Sequence, residues 1–216
     1  MSYSVIRTAR RATALCALTL VPLAACQTMS PGAMGSMDGT PRGAVPTDRA
    51  SMERMMTGWA PASREAAAFM MNKYGAPASM SGDMLVWNRT GPWKRTIIYR
   101  EAVPHNFPMP HPDVMEQFID YRVPPALFDE LAMYDGSVIV ERTKGEMSAR
   151  CDKEGANFLA LNLAQEIATG KRTVADARRM YAEQITAMKA GRPAPYTERL
   201  MFSPMPGAMD PDRPAM

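Results

Sequence analysis

The chain has 216 residues, 46 % of them apolar and 22 % charged, with a formal charge of +3. That balance supports a sizeable core and excludes wholesale disorder. Aromatics make up only 7 %, whereas Met and Pro number 21 and 19.

The chain opens on Arg7, Arg10 and Arg11, with no acidic residue among its first 26. Residues 12–23 are an apolar run broken only by Thr13, Thr19 and Pro22. A membrane-spanning helix needs roughly 20 apolar residues, so this run reads as a secretory signal core. It ends in Leu23-Ala24-Ala25-Cys26. Small residues at 24 and 25 suit an extended entry into a peptidase, and Cys26 supplies a thiol. These residues resemble the lipobox of bacterial lipoproteins. The resemblance implies a signal peptide over 1–25, a diacylglyceryl group on Cys26, and a membrane-held domain facing the periplasm. Gln27 rather than Asp implies the outer membrane. Removing three Arg leaves 22 basic and 22 acidic side chains, so no net basic surface for nucleic acid is expected. Cys16 leaves with the signal and Cys26 is acylated. Only Cys151 remains, so no internal disulfide is expected.

Residues 26–60 lack a sustained hydrophobic period and read as a flexible tether, with a reach of about 30 Å. Residues 62–74 read as a helix, with Ser63 as a candidate cap and Gly75 as its stop. Strands follow at 84–88 and 95–100, around Arg89-Thr90-Gly91-Pro92. Residues 103–112 carry four prolines and read as irregular. Alternation marks a strand at 115–123, and Pro124-Pro125 opens a helix running to Gly136. Residues 137–143 and 147–151 read as a hairpin turning at Lys144-Gly145-Glu146. Helices near 153–169 and 174–189 close a single domain over 61–190. Residues 191–216 hold six prolines and read as a disordered or surface-draped tail. The expected fold is α+β in the order α-β-β-β-α-β-β-α-α. Its sheet is mainly antiparallel, of about five strands, with helices on one face.

The opening helix, Gly75-x-Pro77 and the first hairpin are similar in outline to small outer-membrane lipoprotein modules that bind partner proteins. Four further segments resemble a family of bacterial proteins of unknown function. They are Gly91 to Thr96, Val103 to His111, Asp135-Gly136-Ser137-Val138 and Ser148-Ala149-Arg150-Cys151-Asp152. That resemblance implies no mechanism.

The densest set of chemistry-bearing residues lies between Pro104 and Asp113, which includes both histidines of the chain. His105, Met109, His111 and Asp113 offer imidazole, thioether and carboxylate, all metal-ligand types. The thioether points to copper or another soft metal. Met34-x-x-Met37 and Met52-x-x-Met55 add further soft donors, or are simply tether composition. Cys151 beside a His would suit a thiol-dependent hydrolase, although Met147, Ala149 and Cys151 also share one buried strand face. No Gly-x-Ser-x-Gly, phosphate loop or His-Glu-x-x-His occurs. Trp93, Lys144 and Glu146 are candidate contacts for an envelope partner. Asn157 and Asn162 lie in an apolar helix and require buried hydrogen-bond partners. The sequence therefore supports first an anchored, non-enzymatic interaction module, next a copper- or soft-metal-binding lipoprotein, and last a thiol hydrolase.

Overall fold

In the computed structural model, which describes residues 48–216, the sheet grows outward from one long hairpin. Its arms are β3 (Trp93–His105) and β4 (His111–Asp120). On one side β3 pairs with β2 (Met84–Thr90), which pairs with the short β1 (Ser79–Met80). On the other side β4 pairs with β6 (Glu146–Cys151), which pairs with β5 (Val138–Glu141). All pairings are antiparallel, so the fold is α+β around a six-stranded sheet of order β1-β2-β3-β4-β6-β5.

Strand alternation sorts the two faces. Leu85, Trp87, Ile98, Met115, Ile119, Met147, Ala149 and Cys151 are buried on one. Helices α2 (Pro61–Tyr74) and α4 (Glu154–Ala168) pack against the sheet. Pro61 starts α2 and Gly75, at φ +83°, ends it. Helix α4 is buried on nearly every side from Ala156 to Ala164, as expected of a helix enclosed by other elements. Each leucine buried there contributes about 1.5–3 kcal/mol. Helix α5 (Val174–Lys189) is capped by Thr173, whose Oγ1 accepts from the Asp176 N–H at 3.1 Å. Ala177, Tyr181 and Ile185 form its buried stripe. Helix α3 (Phe128–Tyr134) follows a single 3₁₀ turn after Pro124 and leads into β5. The opposite sheet face is polar. There Arg95 stacks over Phe118 at 3.9 Å and pairs with Glu146, while Glu116 accepts from Tyr99 and Ser148 at 2.7 Å each.

Several expectations need correction. Residues 103–112 are not one irregular loop: β3 runs through Pro104 to His105, and β4 starts at His111. The neighbouring strands stop short of this stretch, β2 at Tyr99 and β6 at Met115, so Pro104 and Pro112 sit on edges where no ladder N–H is required. The strand expected at 115–123 ends at Asp120, though Tyr121 and Val123 stay buried. Ser63 does not cap α2; it is buried and donates to the Arg100 carbonyl. Within the stretch assigned to a tether, α1 (Arg49–Met55) is a helix, and Met52, Met56 and Trp59 are buried.

Of the two readings of the tail, disordered or surface-draped, the structure shows the second: it is tied to the domain. Asn162 Nδ2 donates to the carbonyls of Tyr196 and Arg199, and its Oδ1 accepts from the Met201 N–H at 2.7 Å. Phe202 packs edge-on against Tyr121, and the Met205 N–H donates to the Asp120 carbonyl. Asp210 pairs with Arg122 and Arg142 at 3.0 Å each. A Cβ on Gly145 would lie 2.2 Å from the Ala208 carbonyl oxygen, so this hairpin position accepts only glycine. The lipobox with Cys26, and the Met34 and Met37 pair, lie outside the described residues. Among the described residues no helix is long and apolar enough to cross a membrane.

Candidate metal centre

Register brings three side chains to one place. His105 stands directly opposite His111 across the β3–β4 pair, so both rings project to the same side. Asp113 lies two residues beyond His111 on the same strand and therefore shares that side. The two imidazole centroids are 4.9 Å apart. His105 Nδ1 faces Asp113 Oδ2 at 3.4 Å, and His111 Nε2 faces Asp113 Oδ1 at 3.2 Å. One ligand atom from each of the three lies within 4.8 Å of the others. Metal bonds of about 2.0–2.2 Å place neighbouring donors roughly 3.3–3.6 Å apart, so a shared cation would draw this slightly wider set together.

The hydrogen bonding is the informative part. His105 Nδ1, His111 Nε2 and Asp113 Oδ1 are buried and have no hydrogen-bond partner; the approaches are close but misaligned. The remaining nitrogen of each ring faces an oxygen. His111 Nδ1 meets the Met109 carbonyl at 2.8 Å, and His105 Nε2 lies 3.6 Å from Asp135 Oδ1. Asp135 is itself oriented by Ser137, whose N–H and hydroxyl both donate to Oδ1 at 2.8 Å. The Met109 carbonyl behind His111 fixes that ring and turns its Nε2 inward, as around metal-bound histidines, while Asp135 stands behind His105 as a nearby charge only.

Charge favours a cation too. Asp113 and Asp135 are only 2 % and 1 % exposed. The Asp113 carboxylate beside it pushes the His111 imidazole up to about 11 against the opposing effect of burial. A cation bound there competes with that proton.

The four expected ligands divide. His105, His111 and Asp113 converge; Met109 serves them through its carbonyl, and its sulfur lies against the exposed Lys189 side chain. Cys151 lies beside His111 on a cavity of about 300 Å³ that also includes Pro108, Tyr181 and Lys189. Burial pushes its thiol up, the reverse of what a nucleophile needs. Since His111 Nδ1 is held by a carbonyl, a Cys–His–Asp relay gains no support from this geometry.

The expected partner contacts are placed differently. Trp93 is buried, stacked on Phe158 at 4.7 Å, and Glu146 is buried between Lys94 and Arg95. Lys144 is exposed and pairs with Glu141 at 3.2 Å. Asn157 ties α4 to β4 through the Met115 carbonyl and Gln117, and Asn162 holds the tail; neither reaches the histidines.

Sequence reasoning missed Asp135 and Arg150 as site residues. Asp135 had a signal, since an Asp before Gly-Ser forms a side-chain-bonded turn. Arg150 had none beyond its place two residues from Asp152. Comparison of the chain with protein-family models, with curated proteins and with solved structures finds no match in any of the three.

Proposed function

We propose that this chain is a lipid-anchored envelope protein whose folded domain binds a divalent transition-metal cation through His105, His111 and Asp113. One observation carries the metal reading: three buried ligand atoms lie within 4.8 Å of one another, each without a hydrogen-bond partner. Two imidazoles and a carboxylate suit Zn(II) and neighbouring divalent ions. Copper(I) would call on the Met109 thioether, which Lys189 engages. Three protein donors leave a position on the cation for water or another ligand. The anchoring half rests on Leu23-Ala24-Ala25-Cys26 and implies a domain exposed to the periplasm.

The test is native mass spectrometry of chelator-treated protein after dialysis against Zn(II) or Cu(I). One retained Zn(II) in the wild type, lost in Asp113→Asn and in the His105→Ala/His111→Ala pair, is the expected result. A wild-type protein that retains no metal overturns the metal reading. For the anchor, palmitate labelling of the full chain should vanish in Cys26→Ala; labelling that persists overturns it.

A further inference from the structure

Beside the proposed cation lies a guanidinium that the fold leaves without an acceptor. Arg150 is in β6, directly across from Glu116, the carboxylate an arginine there would be expected to take. Glu116 is otherwise engaged: Oε2 accepts from the Tyr99 hydroxyl and Oε1 from Ser148, both at 2.7 Å. The ion pair Arg150 makes among the described residues is a loose one, with Nε 3.8 Å from Asp113 Oδ2. That is too long for a hydrogen bond, and Nε is buried without a partner. The Arg150 side chain is only 23 % exposed. Guanidinium stays charged at any ordinary pH, and it carries five donors in a fixed fork.

This fork opens onto a second cavity, of about 480 Å³. Tyr99, Val103, Arg100 and Arg150 line it together with three carboxylates, Asp83, Glu101 and Asp113. Arg100 pairs loosely with the exposed Asp83 at 3.7 Å and Glu101 stands in solvent, so Arg150 is the more enclosed of the two positive charges and the one beside Asp113. The open position of a three-donor cation and a free guanidinium, both adjoining Asp113, form a two-point site for an oxyanion. We propose that the metal-loaded domain binds a small molecule bearing a carboxylate or phosphate group, with one oxygen on the cation and another on Arg150. This rests on the metal reading, because without the cation an anion at Arg150 meets the uncompensated Asp113 carboxylate and is repelled.

Co(II) provides both a load and a signal, since its visible absorption reports changes at the metal. Inorganic phosphate and acetate, titrated separately into the Co(II)-loaded protein, distinguish the two oxyanion sources. The expected result is a saturable spectral change with at least one of them. Arg150→Gln should bind Co(II) within about threefold of wild type yet lose tenfold or more in anion affinity, with Arg150→Lys in between because it keeps charge but not the fork. Co(II) uptake with no response to either anion overturns this proposal and leaves the metal reading standing. Equal anion affinity in wild type and Arg150→Gln also overturns it, reducing Arg150 to a charge balance for Asp113. Failure to bind Co(II) at all overturns both.

Discussion

Asp113 and Glu154 are both almost wholly buried carboxylates; Glu154 follows β6 by three residues, and Asp113 lies two residues before Met115, the β4 partner of Cys151. Their surroundings are opposite. Glu154 Oε1 accepts from Trp93 Nε1 at 2.7 Å and the Tyr74 hydroxyl at 2.8 Å, with Gln117 at 3.4 Å, while Lys73 pairs with Oε2. Every neighbour is a donor supplied by α2, β3 or β4, so this carboxylate clasps three elements to the start of α4. Asp113 instead faces two imidazoles and a guanidinium that stand near it without a hydrogen bond. A buried acid met by aligned donors is accounted for by the fold; one ringed by misaligned nitrogens is left open to the cation we propose.

The contrast can be broken most sharply at Glu154. Glu154→Ala leaves Trp93 Nε1 buried without an acceptor and Lys73 without its partner, and should cost about 3–5 kcal/mol in urea unfolding. A loss below about 1 kcal/mol would reduce the clasp to a surface pairing. The next effect is on the other centre. Zn(II) at a hundredfold excess over its Kd should stabilise the protein by about 2.7 kcal/mol. Thermal unfolding should find that increment intact in Glu154→Gln and absent in Asp113→Asn. An increment that follows Glu154 instead would merge the two centres into one.

Alkali provides a gentler probe. Burial pulls the Lys73 ammonium down, but the hydrogen bond to Glu154 outweighs it and leaves it above its ordinary value of 10.5. A raised ammonium contributes stability that is full below pH 10.5 and lost as the pH climbs through the folded-state value. The wild type should therefore weaken above pH 10.5 more than Lys73→Met does. Because Lys73 is 45 % exposed, solvent screening keeps this difference small. Parallel curves for the two proteins would contradict it. The smallest effect belongs to Met109→Leu. The backbone carbonyl behind His111 remains, so Zn(II) affinity should stay within about threefold in a competition titration. A hundredfold loss would restore the thioether to the ligand set.

Much of the fold can be read from periodicity. The hairpin across Gly91-Pro92, the β5–β6 hairpin and the two closing helices lie where alternation and caps place them, because those signals are local. The site was legible as a composition and not as a geometry. His105, His111 and Asp113 stand out as ligand types, but four prolines disguise the strand ends that align them. What permits proline there is the early end of β2 and β6, a property of other segments that the local sequence does not carry. The same holds for Met109, whose sulfur lies against Lys189, 80 residues away in the chain. Burial of Glu146 and Trp93 likewise depends on partners in distant elements.

The metal centre sits on the two-stranded end of the β3–β4 hairpin, past the point where β2 and β6 stop supporting it. Backbone hydrogen bonds in such an extension open at a lower free energy than the sheet centre does. Phe107, at the turn, holds this end against α5 through Tyr181, at 5.0 Å, and under the Arg178 guanidinium, at 3.8 Å. Separating the two strand ends would part His105 from His111 while the core stayed folded. On the proposed metal reading, loading and release proceed by a local unzipping, and amide exchange at Val103, His105, His111 and Asp113 would slow once a cation stitches the two strands together.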